Sequence, residues 1–362
     1  MEKRVIKLGV AGLLRGKDVV ASVMQDENVI LRAICDKNEE VLEKARTFFA
    51  EEKKARDLLC FDNLEALLES DIDAVYIATD APSHTKHVKM ALEAGKHVIS
   101  EIPAVYTLEE AKELKEAVEA HPELKYMAGE NCFYWAFIES WKRMYEDGKF
   151  GEVVYAESEY LHAIEPCEIK EENYRGNHWR KSLNAIRYLT HNLGPLLYIM
   201  DDRCVSVTCM EPEVRYNPYK TGAENGVALF KTAKGAVIRI LICFGAYVGF
   251  DHNFRILGTK GSIETDNTKK LGAAHSLARF EEIPGSFEEK IDIPVTTKFP
   301  GEADSGHGGA DGKMMRAFVD CIINDKKPPI DVDMGIRISL PGILAHESAA
   351  NGGMAIEIPE TF

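Results

Sequence analysis

Short apolar runs alternate with longer amphipathic stretches over the first 130 residues. The apolar runs are VIKLGVAG, VILRAICD, IDAVYIAT, KHVISE and KYMAGE, and each has the length of a buried strand. Stretches with helical spacing, such as NEEVLEKARTFFAEEKKA and TLEEAKELKEAVEA, separate them, and Asp62 and Thr107 are expected to cap two of the helices. Strand and helix in alternation predict a doubly wound parallel sheet with helices on both faces.

The pattern changes beyond about residue 130. Longer strands with alternating polarity follow, among them EVVYAESEYLHA, NGVALFKT and GAVIRILICF, and Lys234-Gly235 is expected at a hairpin turn. Helices are expected within WRKSLNAIRYLTHNLGPLLYIM and near 311–324 and 333–348. We therefore predict an α/β domain over residues 1–130 and an α+β domain on a mainly antiparallel open sheet over residues 131–362.

Length, charge and cysteine usage limit the function. The 362 residues exceed what one hydrophobic core usually accommodates. The formal net charge of −15, with no concentrated basic face, argues against nucleic acid or an anionic membrane surface as a partner. There is no apolar run of membrane-spanning length, and we expect no secretory leader. The eight cysteines form no CxxC pair and have no metal-ligand spacing, so we expect a cytoplasmic protein with reduced thiols and no metal.

A glycine-bearing turn follows the first strand and reads Gly12-Leu13-Leu14-Arg15-Gly16. Dinucleotide-binding domains use GxGxxG at this point, because the backbone must turn tightly and approach the pyrophosphate. Gly12 fits the first glycine, but Leu14 occupies the place of the second. On its own the turn fits a flavodoxin-like or other α/β domain equally well.

The second strand favours the dinucleotide interpretation. It ends in Asp36, 24 residues beyond Gly12, where a carboxylate can accept a hydrogen bond from a ribose 2′-hydroxyl and repel a 2′-phosphate. NAD is therefore the expected cofactor and NADP is less favoured, although the neighbouring Lys37 leaves room for NADP. The alternative role for Asp36 is to cap the next helix.

Polar residues also stand where the third and fourth strands end. Thr79 and His84 follow the third strand, and Glu101 and Pro103 follow the fourth. Because the carboxyl ends of parallel strands meet at one edge of a sheet, we expect these residues close to the nicotinamide end of a bound cofactor. For His84, a helix-capping role is the competing interpretation.

The chain resembles the Gfo/Idh/MocA family of sugar-active oxidoreductases along nearly its whole length. The resemblance is carried by Gly12 to Gly16, Asp36, DAVYIAT with His84, ALEAGKHVISEIPA, GKFGEV and HGGADGKMMRAF…LPGILAHESAANGG. It implies an N-terminal Rossmann domain that binds NAD. It also implies a C-terminal domain whose open sheet covers the nicotinamide and joins subunits into a homo-oligomer. The implied cofactor-binding residues are Gly12, Leu13, Leu14, Arg15, Gly16, Asp36, Thr79, His84, Glu101 and Pro103.

Two departures from the family point to one of its sub-branches. Typical members have a lysine between the glutamate and the proline, where this chain has Ile102, and many carry an Asp/His pair where this chain has Tyr188-Leu189-Thr190-His191. In both respects the chain is similar to the NAD-dependent, redox-neutral glycosidases typified by α-N-acetylgalactosaminidases. That similarity implies catalytic roles for Tyr160, His162, Tyr188 and His191. It implies substrate contacts from Glu101, Glu130, Arg180 and His307.

The residues themselves support such a site. Strand alternation puts Tyr160 and His162 on one face, and Tyr188 and His191, three apart in a predicted helix, share another. Phenols and imidazoles can bind sugar hydroxyls and act as acids or bases near neutral pH. The competing interpretation is that Tyr188 and His191 are satisfied interior groups of a packed helix and that Tyr160 and His162 belong to a half-buried strand face. Asp311, in GHGGAD, is expected only to cap a helix.

Three functions follow from this pattern. The first is an NAD-dependent oxidoreductase that takes a hydride from a pyranose carbon of a sugar or glycoside, with C3 favoured. The alternative is a redox-neutral glycoside hydrolase that oxidises C3, eliminates the glycosidic bond, adds water and reduces the ketone again with bound NAD. The third is a non-catalytic NAD- or sugar-sensing protein, in which Leu14 and Ile102 mark lost motif positions.

Overall fold

The computed structural model describes residues 5–24, 26–163, 169–170, 179–266, 275–294 and 306–360. The chain divides into two compact units. The first unit comprises Met1–Asn131 with Gly301–Ile336, and the second comprises Cys132–Pro300 with Arg337–Phe362. This differs from the expected single boundary after residue 130.

The first unit is built on six parallel strands in the order β3-β2-β1-β4-β5-β6. The strands are β1 (Ile6–Ala11), β2 (Val29–Cys35), β3 (Leu59–Phe61), β4 (Ala74–Ile77), β5 (His97–Ser100) and β6 (Tyr126–Ala128). Its helices up to residue 131 are α1 (Leu13–Ala21), α2 (Glu39–Phe49), α3 (Leu64–Leu68), α4 (His84–Glu93) and α5 (Leu108–Glu119). Every residue of β4 is buried, as expected for a strand covered on both faces. The predicted doubly wound sheet is confirmed.

Side-chain caps fix where several of these helices begin. Thr107 accepts a hydrogen bond from the Glu110 amide, and the Glu110 side chain completes a capping box, so Thr107 caps α5 as predicted. The prediction for Asp62 is wrong, because the side chain of Asn63 accepts from the Ala66 amide and caps α3.

The second unit carries a nine-stranded sheet in the order β14-β13-β12-β11-β7-β10-β9-β8-β15. The strands are β7 (Val153–His162), β8 (Cys204–Met210), β9 (Asn225–Thr232), β10 (Val237–Cys243), β11 (Phe250–Gly258), β12 (Gly261–Thr265), β13 (His275–Phe280), β14 (Ile291–Pro294) and β15 (Ile356–Glu357). Neighbouring strands are antiparallel except β7 and β10. The mainly antiparallel sheet is confirmed, as is the hairpin between β9 and β10.

The remaining helices are α6 (Ala136–Glu146), α7 (Trp179–Ser182), α8 (Thr190–Met200), α9 (Ala310–Ile323) and α10 (Val332–Ala350). Helix α8 packs on β7, where the buried Asn192 side chain donates to the Ser158 hydroxyl at 2.5 Å. Helix α9 packs against α1 of the first unit, and the Ala128 amide of β6 donates to the Ile330 carbonyl. These contacts explain why Gly301–Ile336 belongs to the first unit. Within the described ranges, no helix is long and apolar enough to cross a membrane.

Candidate active site

The turn between β1 and α1 depends on two glycines. Gly12 has φ 89°, and a Cβ built there would lie 2.2 Å from the carbonyl oxygen of Ala78. A Cβ at Gly16 would lie 2.7 Å from a methyl group of Val10, so α1 packs closely on β1. The loop therefore has the tight turn and the close helix packing of a dinucleotide loop. Leu14 replaces the middle glycine and is 76% exposed.

Asp36 faces this loop from the end of β2. Its carboxylate accepts the Leu13 amide at 2.9 Å and the Asn38 amide at 2.9 Å. The side chain that caps α2 belongs to Asn38, so the alternative capping role of Asp36 is wrong. A carboxylate has about four lone-pair sites, and its acceptor chemistry therefore fits an NAD ribose.

His84 connects the loops that follow β4 and β5. Its buried ring lies between two backbone carbonyl oxygens, with Nε2 3.0 Å from that of Thr79 and Nδ1 3.0 Å from that of Pro103. The Thr79 hydroxyl is 2.8 Å from Nδ1 of His87, and burial lowers the pKa of His87 to about 4. Through these contacts, His84 fixes both loops, while its direct contact with a cofactor stays a prediction.

Glu101 follows β5 and accepts hydrogen bonds from two side chains of the first unit and from the Ile102 amide. Its Oε1 accepts Nε–H of Arg15 at 3.1 Å and also the phenol of Tyr76. Burial, reinforced by Glu101, raises the pKa of Tyr76 well above its usual value, so this phenol stays a donor. Ile102, which replaces the family lysine, is buried and packs as a core residue.

Asp311 is the site residue that sequence reasoning missed in the first unit. Its side chain is completely buried and accepts two guanidinium N–H groups of Arg15, at 2.7 and 2.9 Å, and Nδ2–H of the Asn131 side chain at 2.8 Å. The N-cap of α9 is Gly309, so the prediction that Asp311 merely caps this helix is wrong. His307 also lies here, with Nδ1 3.1 Å from Oδ2 of Asp311.

Glu130 lies at the same edge of the first sheet. It follows β6, which neighbours β5, and it is completely buried. The Gly129 amide donates to the Ser100 carbonyl at 2.7 Å and joins the chain segments that carry Glu130 and Glu101. The role of Glu130 toward a substrate stays a prediction.

Tyr160 and His162 lie on the same face of β7 in the second unit, as predicted. Their ring centroids are 5.5 Å apart, and Tyr160 is buried while His162 is exposed. The register between β7 and β11 sets His252 opposite Tyr160, and the two rings stack at 4.0 Å. His252 was not predicted, because the strand pairing that brings it here is invisible in local sequence.

Tyr188 and His191 come from two short elements rather than from one helix. Tyr188 ends a 3-10 turn over Ala185–Tyr188, and His191 is the second residue of α8. The predicted continuous helix is therefore wrong, yet the two ring centroids are 5.3 Å apart. The His191 ring also lies 5.7 Å from that of Tyr160, so all four predicted catalytic side chains come together.

We call Tyr160, His162, Tyr188 and His191 the Tyr/His cluster. Phe244 packs edge-on against Tyr160, His162 and Tyr188. The guanidinium carbon of Arg180 lies 5.9 Å from the ring centroid of Tyr188. Sγ of Cys132 is 3.3 Å from Nδ1 of His191 and helps to orient that ring. Such a surface can bind sugar hydroxyls and move protons near neutral pH.

The fold and these residues define a class of protein. A doubly wound sheet with a glycine turn and a carboxylate after the second strand is the architecture of an NAD-binding oxidoreductase domain. Residues 5–129 match the model of the Gfo/Idh/MocA oxidoreductase family, NAD-binding Rossmann fold. Residues 138–264 match the Gfo/Idh/MocA C-terminal domain, and residues 211–362 match the glycosyl hydrolase 109 C-terminal domain. The chain belongs to the Gfo/Idh/MocA family, as its sequence predicted.

Curated relatives align over almost the whole chain. A glycosyl hydrolase family 109 protein of Solibacter usitatus is 28% identical and aligns over 98% of this chain and 88% of its own length. An α-N-acetylgalactosaminidase of Shewanella oneidensis is 26% identical over 98% of this chain and 85% of its own.

Solved structures share the fold. Levoglucosan dehydrogenase in complex with NADH and levoglucosan has a TM-score of 0.82 at 20% identity, covering 98% of this chain and all of that one. The scyllo-inositol dehydrogenase of Lactobacillus casei, with bound NAD(H) and scyllo-inositol, has a TM-score of 0.79 at 20% identity. This second match covers 98% of this chain and 99% of the other.

Proposed function

We propose that this protein is an NAD-dependent oxidoreductase that acts on a sugar or glycoside, with C3 of a pyranose as the carbon oxidised. The observation that carries the proposal is the Tyr/His cluster, in which four side chains from three elements lie within 5.3 to 5.7 Å of a neighbour, ring to ring. Phenols and imidazoles at this density suit an uncharged polyhydroxylated substrate. The α-N-acetylgalactosaminidase relative and the levoglucosan dehydrogenase neighbour are both named for sugars, which supports the same substrate class.

The side chains of the site have different roles in this reaction. Tyr160 or His191 accepts the proton of the hydroxyl that is oxidised, and Arg180 and His162 hold other hydroxyls. When bound, NAD supplies the acceptor for the hydride and, in a redox-neutral cycle, returns it to the sugar. Glu101 orients the reacting groups at the end of β5.

We propose NAD rather than NADP as the cofactor. Asp36 supports this choice, because its carboxylate already accepts the Leu13 amide of the glycine turn and would repel a 2′-phosphate there. Lys37, the cation beside it, is paired with Asp80 at 3.0 Å. A 2′-phosphate would have to compete with that carboxylate.

Redox-neutral glycoside hydrolysis is the second candidate function. The match of residues 211–362 to the glycosyl hydrolase 109 C-terminal domain favours it specifically. In this reaction a C3 ketone acidifies the proton at C2, and Tyr160 or His162 removes that proton as the glycosidic bond breaks. Water then adds, so the pair of carboxylates that ordinary glycosidases require is unnecessary.

We also propose a cytoplasmic, homo-oligomeric protein. None of the seven cysteines in the described part of the chain forms a disulfide, and Cys167 lies outside it. Reduced thiols support a reducing compartment, and burial raises the pKa of Cys35 to about 12, as for an inert core thiol. Val227, Leu229 and Val237 lie exposed on β9 and β10 and support the open sheet as the subunit contact. Light scattering should show a smaller assembly for Leu229→Lys.

A panel of nitrophenyl glycosides tests the function directly. The purified protein is incubated with each glycoside in deuterated water, with and without added NAD. Net NADH with an intact glycoside supports the oxidoreductase. Aglycone release with deuterium at C2 and no net NADH supports the hydrolase. Binding of NAD without turnover of any sugar would contradict both and favour the sensing protein.

A further inference from the structure

A single arginine lies between two carboxylates in the first unit. Arg15 gives Nε–H to Glu101 and one N–H from each terminal nitrogen to Asp311, at 3.1, 2.9 and 2.7 Å. Three of its five donors are therefore used on carboxylates. Although burial opposes its charged form, Glu101 and Asp311 outweigh burial and raise the pKa of Arg15.

The Asp311 carboxylate is tightly packed and hydrogen-bonded. The carboxylate is completely buried, and besides Arg15 it accepts Nδ2–H of the Asn131 side chain and faces Nδ1 of His307. A Cβ at Gly306 would lie 2.4 Å from its Oδ2, so the backbone there approaches closely. Burial opposes ionisation, but the contacts with His307 and Arg15 prevail and hold the pKa of Asp311 well below its usual value.

The bidentate pair of the Arg15 guanidinium with Asp311, which we call the fork, couples the Asp311 carboxylate to that of Glu101. An arginine side chain is flexible when it is unpaired, and a bidentate pair fixes the plane of its guanidinium. Once Asp311 fixes that plane, the direction of Nε–H is fixed as well, and it points at Oε1 of Glu101. Among the described residues of the first unit, Tyr76 is the other side chain that donates to Glu101.

We propose that Asp311 is a positioning residue, which holds the Arg15 guanidinium so that Arg15 in turn fixes Glu101 at the end of β5. The negative charge of Asp311 opposes binding of a dinucleotide, whose pyrophosphate is itself anionic. Asp311 therefore favours turnover at the expense of cofactor affinity. This inference rests on the proposed function, in which Glu101 orients the reacting groups.

Asp311→Asn tests the inference, because it should affect the affinity for NAD and the rate of turnover in different ways. The variant removes the charge and one arm of the fork, since an amide has a single acceptor oxygen. We expect the Kd for NAD, measured by calorimetry, to stay equal or tighten by up to about tenfold, while kcat falls by about tenfold or more. A tenfold weaker Kd, or turnover at the wild-type level, would overturn the inference.

Asp320→Asn is the matched control. Asp320 lies on the same helix, α9, but its carboxylate pairs at the surface with Lys326 at 2.8 Å. Neither Kd nor kcat should change in this variant. Arg15→Lys is the second perturbation, because a lysine keeps the charge and cannot form the fork. The losses of kcat in Arg15→Lys and in Asp311→Asn should not add in the double variant, because both substitutions break the same contact between Arg15 and Asp311.

A measurement without activity separates this inference from the proposed function. The Nε–H of Arg15 gives an NMR signal that is assigned by its loss in Arg15→Lys. We expect this hydrogen to exchange with water about tenfold faster or more in Asp311→Asn, since the guanidinium is no longer held. Unchanged exchange would overturn the positioning role. If Asp311→Asn shows faster exchange but the wild-type protein turns over no sugar, the positioning role of Asp311 is upheld and the proposed function is rejected.

Discussion

Replacing Gly12 by alanine should damage the first unit far more than the same change at Gly95. Both glycines have positive φ, 89° and 72°, but a Cβ at Gly12 meets the Ala78 carbonyl oxygen at 2.2 Å, whereas one at Gly95 meets nothing within 4 Å. Strain from the backbone conformation costs about 1–2 kcal/mol at Gly95. At Gly12 a similar strain of about 1–3 kcal/mol combines with overpacking of about 1–3 kcal/mol, for a total of about 2–6 kcal/mol.

Urea unfolding followed by circular dichroism measures this difference, because both glycines lie in the first unit and the backbone signal reports on its sheet. Hydrogen exchange of peptides from β1 and β4 then locates the loss. Gly12→Ala should also weaken NAD binding, while Gly95→Ala should leave it unchanged. Equal destabilisation by the two substitutions would refute the reasoning, since the contact with Ala78 would then be irrelevant.

Three further predictions follow from the site. Tyr160→Phe and His191→Ala should each lower kcat by about a hundredfold or more in a turnover assay, and wild-type rates in both would reject the Tyr/His cluster. Ile102→Lys should not raise kcat and should lower Tm, because Ile102 is buried and an ammonium there lacks solvation. The folded-state pKa of His87 lies near 4, below the unfolded value of about 6.5, so its protonation removes stability as pH falls between them. His87→Gln should therefore gain on the order of 2 kcal/mol over the wild type between pH 7 and pH 4 in urea unfolding, which is less than the full pKa shift implies because solvent screens the partly exposed ring. A constant difference would contradict this.

Local patterns in the sequence contain much of this fold. All residues of β4 are buried, and buried and exposed residues alternate along β9. Each pattern shows which faces of the strand are covered, and a few neighbouring residues of the sequence are enough to reveal it. The turn at Gly235 depends on one positive φ, 95°, that glycine permits. Tyr160 and His162 were predictable for the same reason, because alternate residues of one strand must share a face.

Long-range pairings account for what the sequence did not reveal. Arg15 and Asp311 are 296 positions apart, and an acidic residue near the start of a helix is the ordinary sign of a cap. His252 reaches Tyr160 only through the register of β11 on β7. The placement of Gly301–Ile336 in the first unit likewise depends on α9 packing against α1. Burial, rather than residue type, distinguishes Asp311 from a solvent-exposed cap.

Transfer of deuterium from C3 of a glycoside tests the central claim most directly. The protein is mixed with NAD and a glycoside that carries deuterium only at C3, the reaction is quenched within one turnover, and the nicotinamide is analysed by mass spectrometry. Both the oxidoreductase and the redox-neutral hydrolase predict deuterium on the nicotinamide ring. Conversion of the glycoside with no deuterium in the cofactor would contradict the account.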